Sequence, residues 1–320
     1  MPLRRSDYEN YDYREFWAED KRYYEDCSER MALSRLLWGE ESSNKVFIDI
    51  GCGFGRLFNE YSRFSRIVMV DYSLNNLKNA RTRVNKFLAG YKGRVPSVLY
   101  VVSDAGRLPF KSGSSDIIMT VRVVHHLENP TKYFNEIGRI LKKGGLYLLE
   151  FANKRNLKNI LRFLFGKIDV SPFNTTPSQV GETIKNYHPK DIYKQLSSRN
   201  INIEKMISVS NYRVGFLKKK LGSRVLLFLE NLHQILFPAV TLGPSIFLKA
   251  RNFNETDNME TKNFQESDGI LETSAVSQFI DLLACPGCSG DNFELDKDEI
   301  ECKACSRVFG YQKAMVDFRL

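Results

Sequence analysis

The sequence predicts an α/β fold, a parallel sheet with helices on both faces, carrying a small metal-dependent domain at its C-terminal end. Three observations lead there. Short β-branched runs alternate with helix-like segments. The first run breaks into Gly51, Gly53 and Gly55 at alternate positions, and four of the 6 cysteines form two Cys-x-x-Cys pairs near the end of the chain. A chain of 320 residues with 42% hydrophobic content is large enough for one substantial core and a small appendage.

The elements follow in order. Residues 11–38 place Phe16, Tyr23, Cys27, Met31 and Leu36 at helical spacing. Strands are expected at 46–50, 67–71, 98–103, 116–121 and 146–151, with helices at 56–64, 74–90 and 130–141 between them. Lys142-Lys143-Gly144-Gly145 closes the last of these helices, because cations suit its negative end and glycine accepts the left-handed turn. A helix at 189–199 and strands at 201–209 and 243–250 complete the body. Residues 252–278 are polar, acidic and rich in Asn, Glu, Thr and Ser, which marks a linker. The expected organisation is therefore a body over 1–251, a linker over 252–278 and a small domain over 279–320.

Charge is divided unevenly. Residues 252–320 carry 6 basic and 14 acidic side chains, which leaves +17 on residues 1–251 of a chain whose net charge is +9. A basic body suits an anionic partner, either nucleic acid or a lipid surface, and is equally compatible with a solvated surface partly neutralised by the tail. The N-terminal segment has no apolar run of a secretory kind, and no stretch of 18 apolar residues exists, so a cytoplasmic protein without a spanning helix is expected.

The glycine loop carries the chemistry. Val46-Phe-Ile-Asp-Ile-Gly-Cys-Gly-Phe-Gly55 spaces its glycines as G-x-G-x-G, and Arg56 precludes the third glycine of a dinucleotide loop. That points from a pyrophosphate toward a nucleoside without phosphates. Asp71 ends the second strand, where a carboxylate accepts from ribose hydroxyls and repels a 2′-phosphate. Asp104 follows the third strand, where it can take an adenine amino group. Asp49 is either a ligand contact or an acid that braces the loop. The pair His125 and His126 at a strand-to-helix junction is either structural or, for His126, a substrate contact or base.

On these residues the chain resembles the class I S-adenosylmethionine-dependent methyltransferases of the type 11 group, over roughly 11–251. The resemblance extends through Asp104-Ala-Gly-Arg-Leu-Pro-Phe110, Ser115-Asp-Ile-Ile-Met-Thr-Val-Arg-Val-Val-His-His-Leu127 and Glu136-Ile-Gly-Arg-Ile-Leu-Lys-Lys-Gly-Gly145, with Ser115 and Lys143 departing from the family's usual Phe and Pro. It implies a Rossmann-like, seven-stranded, mostly parallel sheet and S-adenosylmethionine as methyl donor. Asp49, Gly51, Gly53 and Gly55 would then contact the methionine part, Asp71 the ribose and Asp104 the adenine, flanked by Tyr72 and Ala105. Transfer from a sulfonium depends chiefly on positioning, and a base is needed only for a protonated acceptor.

The acceptor is less legible. A small-molecule or lipid/quinone-like acceptor is favoured, with RNA or protein as alternatives, and a non-catalytic binding module as a reading of another class. Tyr11, Tyr13, Phe16 and Trp17 either pack or close over the site. Residues 214–237, basic at Lys218 to Lys220 and Arg224 and then strongly apolar, read as a peripheral membrane contact, a phosphate-tracking segment or core.

Cys285, Cys288, Cys302 and Cys305 have the spacing of a closed four-thiolate zinc site, structural rather than catalytic; a disulfide pair is the alternative. Phe279-Ile-Asp-Leu-Leu-Ala-Cys-Pro-Gly-Cys288 resembles the opening of the small zinc-ribbon activator that partners tRNA, rRNA and release-factor methyltransferases. That resemblance implies a built-in activator and leaves the substrate open.

Overall fold

The computed structural model describes residues 13–17, 22–127, 130–181, 184–254 and 274–320. After a 3-10 turn at Tyr13–Trp17 comes helix α1 (Tyr23–Leu36). Strands β1 (Val46–Ile50), β2 (Arg66–Asp71), β3 (Ser97–Val102) and β4 (Ser115–Thr120) then alternate with helices α2 (Phe58–Tyr61) and α3 (Leu74–Leu88). Helix α4 (Pro130–Ile140) leads into β5 (Leu141–Ala152), followed by α5 (Leu157–Leu164) and a hairpin of β6 (Ser178–Val180) and β7 (Ile184–Asn186). Helix α6 (Pro189–Ser197), β8 (Ile201–Val209), α7 (Gly215–Leu236) and β9 (Ser245–Asn252) close the body. The tail contributes α8 (Ser274–Ser277), β10 (Phe293–Leu295), β11 (Glu299–Cys302), β12 (Arg307–Gln312) and β13 (Met315–Asp317).

The expected sheet is there, in the order β3-β2-β1-β4-β5-β9-β8. Only β9 runs antiparallel to its neighbours. β1 is buried at every residue, which is why its sequence reads as an apolar run interrupted only by Asp49. Helix starts are fixed locally: Ser73 Oγ accepts from the Asn76 N–H at 3.2 Å, and His188 Nδ1 accepts from Lys190 N–H at 3.2 Å just before Pro189. The helix expected at 56–64 is shorter, a single turn, and the lysine-glycine stop after α4 lies inside the long β5, with Gly144 at φ +74°.

The tail extends this sheet. β13 pairs in parallel with β3, and β12, β11 and β10 follow outward to make 11 strands in all. Tyr100 N–H donates to Ala314 O at 2.9 Å and Phe318 N–H to Val102 O at 2.8 Å, so the edge of β3 is hydrogen-bonded rather than open. Val276, Phe279, Leu283, Ile300, Phe309 and Phe318 belong to the same apolar cluster as Leu99, Val101 and Phe110. Buried Arg66 donates to Asp281 and lies over the Phe279 ring at 5.2 Å, tying β2 to the chain just before Cys285. Residues 255–273, most of the expected linker, lie outside the described residues.

Candidate functional site

A cavity of about 420 Å³ opens at the carboxyl ends of β1, β2, β3 and β4, where an open parallel sheet binds its ligands. Asp49, Gly51, Gly53, Asp71, Tyr72, Asp104, Ala105 and His126 all line it. Gly55 does not. Its α-carbon packs underneath, where an added Cβ would stand 3.2 Å from Met69 and 3.4 Å from Ala80. Gly51 has the opposite surroundings: at φ +73° its missing Cβ would lie 2.1 Å from Val123, so the loop and the β4 end can meet only with glycine there.

Asp49 lies at the cavity floor, 3% exposed, and accepts from the Tyr61 hydroxyl at 2.6 Å. Burial pushes its carboxyl up to about 7; the Tyr61 bond opposes that shift, and neighbouring Asp71 adds to it. Asp71 is held from below, with Oδ2 accepting from Gly53 N–H at 2.8 Å and Oδ1 from Ser73 N–H at 2.9 Å. Its carboxylate is thereby locked to the glycine loop on one side and the start of α3 on the other. Asp104 stands exposed at the rim, accepting from Gly106 N–H at 2.8 Å. Tyr72, also at the rim, has the guanidinium of Arg319 over its ring at 5.6 Å, so the end of the tail reaches the mouth of the cavity.

His126 is partly exposed at the cavity wall, its ring 4.2 Å from that of His125. His125 points inward and is buried, which holds it well below the usual histidine range and keeps it neutral.

Two charged wall residues escaped the sequence reading: Arg56 and Arg122. Both guanidiniums bond to Glu29 of α1, which is fully buried and whose carboxyl is held below the usual range by Arg122 and Arg56 against the cost of burial. Arg56 also pairs with Asp26, and the Trp17 ring lies 3.8 Å from Arg56 and 5.1 Å from Arg122. Trp17 thus stacks on the cavity's arginines; Tyr11 lies outside the described residues. Arg122 adopts φ +62°, anchored by its N–H to Glu150 at 2.8 Å. The local signal for it was a lone cation at a strand end, but its partner on α1 is far away in sequence. Glu29→Gln would strip the shared counter-charge from two arginines, and a loss of about 3–5 kcal/mol in chemical denaturation is expected.

At the tail, the four cysteine sulfurs lie within 4.8 Å of one another. Gly287 and Gly290 N–H groups donate to Cys285 and Cys288 Sγ at 3.3 and 3.4 Å, the outer bonds that suit thiolates on a metal. This set fits Zn²⁺, all sulfur and closed.

Every residue that lines this cavity lies within the range that a family model matches. A family model described as a methyltransferase domain matches residues 48–149. The chain is 36% identical over 104 residues to the uncharacterized chloroplastic methyltransferase At1g78140 of Arabidopsis thaliana, covering 32% of this chain and 29% of that one. It is 33% identical over 144 residues to the demethylmenaquinone methyltransferase of Leptospira interrogans, covering 42% and 55%. Among solved structures, the magnesium protoporphyrin IX methyltransferase of Synechocystis PCC 6803 with bound SAH is similar at a TM-score of 0.49 and 16% identity, over 73% of this chain and 85% of that one. The chain spans less than two thirds of the length of these curated relatives. No helix among the described residues is long and apolar enough to cross a membrane.

Proposed function

We propose that this chain, whose residues 48–149 match a methyltransferase-domain family model, binds S-adenosylmethionine in the cavity and methylates a small or lipid-like acceptor of quinone type. The observation that carries the reading is the convergence of Asp49, Asp71, Asp104 and the Gly51–Gly53 backbone on one cavity. Its volume is that of a small-molecule site. Asp71 takes the ribose hydroxyls, Asp104 with Tyr72 and Ala105 takes the adenine, and the loop with Asp49 takes the methionine part. Asp49 makes no ion pair among the described residues, and burial with Asp71 raises its carboxyl against the opposing pull of Arg56 and the Tyr61 bond, which fits a ligand that brings a cation. When bound, the cofactor supplies a sulfonium methyl group ready for in-line displacement. Arg56, Arg122 and the α1 acids hold the wall in place, and His126 is the group available to take a proton from an acceptor that enters protonated. The four cysteines hold a structural zinc.

The acceptor class is supported by the apolar wall, which includes Phe54, Leu57, Val121, Val123 and Leu127, and by the quinone chemistry of one relative. An RNA-tracking role for Lys218 to Lys220 is less favoured. Lys218 pairs with Glu25 at 2.8 Å and Lys220 lies over Phe216 at 4.6 Å, so two of the three are engaged within the protein. The test is transfer of labelled methyl from S-adenosylmethionine to a demethylquinone. Label on the quinone supports the reading; label on RNA or protein in its place would sink the acceptor assignment.

Asp49 sets a pH dependence. A cationic ligand lowers its pKa, so binding below pH about 7 releases a proton. Affinity for S-adenosylmethionine is expected to rise with pH, by up to about tenfold per unit, and to level off above the pKa. The ligand-free fold behaves oppositely: a raised carboxyl loses stability as pH climbs from its ordinary range through 7. Calorimetry across pH, in buffers of different ionisation enthalpy, reads both the slope and the released proton.

A further inference from the structure

Helix α7 is inside out. Its buried positions include Glu230 and Gln234, and these face α1. Glu230 accepts from the Tyr24 hydroxyl at 2.7 Å and from Ser210 N–H at 2.9 Å, and Gln234 donates to Ser28 O at 3.0 Å. Beyond a break at Gly222, where the backbone leaves helical geometry, Val225, Phe228, Leu232 and Ile235 are exposed, spaced by three, four and three, and run as one apolar stripe along the helix. A helix of an ordinary globular surface has the reverse arrangement.

Helix α5 repeats the pattern. None of its residues is buried, and Leu157, Leu161 and Leu164 stand exposed at the same spacing, followed by Phe165 at 73% exposure. The two faces join. Leu157 N–H donates to Leu242 O at 2.9 Å, in the loop after α7 that also exposes Leu236, Phe237 and Val240. Together they hold most of the exposed large apolar side chains among the described residues, a patch far beyond the scattered exposure of a soluble surface.

Its charge selects the occupant. Within residues 155–173 and 213–243 the only acids are Asp169 and the buried Glu230, whereas Lys158, Arg162, Lys167, Lys219 and Arg224 are exposed cations. A second copy of this chain would bring the same positive charge to the patch; an anionic bilayer brings the opposite charge and covers the apolar stripes as well. We infer that α5, α7 and the 236–242 loop form a docking face for an anionic membrane surface, on which the protein lies without crossing it. The face adjoins the cavity: α5 leaves the carboxyl end of β5, and α7 packs on α1, whose Glu29 fixes Arg56 and Arg122. Docking is independent of methyl transfer and is read without cofactor.

The experiment is sedimentation of the full chain with vesicles of phosphatidylcholine, alone or mixed with phosphatidylglycerol. Binding is expected to the mixed vesicles and to be far weaker to phosphatidylcholine alone. Phe228→Ser with Ile235→Ser, or Leu164→Ser with Phe165→Ser, should weaken it about tenfold or more while leaving the melting temperature and cofactor binding unchanged. Lys219→Glu with Arg224→Glu should remove the preference for phosphatidylglycerol. No binding to the mixed vesicles would overturn the inference. So would binding that salt abolishes and the serine variants leave intact, the behaviour of a surface read by charge alone. A lipid-free dimer that the same serine variants dissociate would assign the face to a second copy instead.

Discussion

Asp71→Ala is expected to weaken S-adenosylmethionine binding by about a hundredfold or more. On the proposed reading, it would lose two charge-assisted hydrogen bonds to ribose hydroxyls, each worth about 1.5–3 kcal/mol. The structure adds a second reason: the same carboxylate accepts from Gly53 and Ser73 N–H groups, so its removal frees the glycine loop from the start of α3. Asp71→Asn retains an acceptor oxygen but not the charge, and an intermediate loss is expected. Folding should survive both changes, because Asp71 is only partly buried and ends its strand. Equilibrium dialysis with labelled cofactor, alongside a thermal melt, separates lost binding from lost structure.

The second large effect is expected from removing the metal. Cys285 and Cys302 are buried and belong to the cluster that continues into β3, while Cys288 and Cys305 are exposed, so two of the four sulfurs anchor the cluster in the main core. A tail this short has little core of its own, and zinc contributes of order 10–16 kcal/mol to the folding of comparable peptides. Chelation is expected to release β13 from β3, to open the chain after residue 274 to proteolysis and to lower the melting temperature by about 10 °C. Because Arg319 lies over Tyr72, cofactor affinity should fall with it. Cys288→Ser, at an exposed ligand, should reproduce the loss in milder form. Absence of zinc in the purified protein would contradict this account of the tail.

The difference between what the sequence disclosed and what it did not follows the range of the interaction. The glycine loop, Asp71 and Asp104 were legible because each sits at the end of a strand whose apolar run can be read locally, and the parallel sheet then brings those ends together. The four-cysteine cluster was legible from spacing. Glu29 was not: it is one acid on a helix rich in charge, and only the folded chain shows that it serves Arg56 and Arg122 at once. Nor was the pairing of β13 with β3, since parallel register between distant segments leaves no local mark. In α7 the sequence was read correctly as basic and then apolar, but which face is buried is decided by Tyr24, Ser210 and Gln234 meeting Glu230.

The central claim, a methyl-donor site built on Asp71 and the glycine loop, is tested most directly by calorimetric titration of the zinc-loaded protein with S-adenosylmethionine and S-adenosylhomocysteine above neutral pH. The account predicts one site per chain for each ligand, with heat largely lost in Asp71→Ala. No binding by the wild-type protein, or binding that the substitution leaves unchanged, would contradict it.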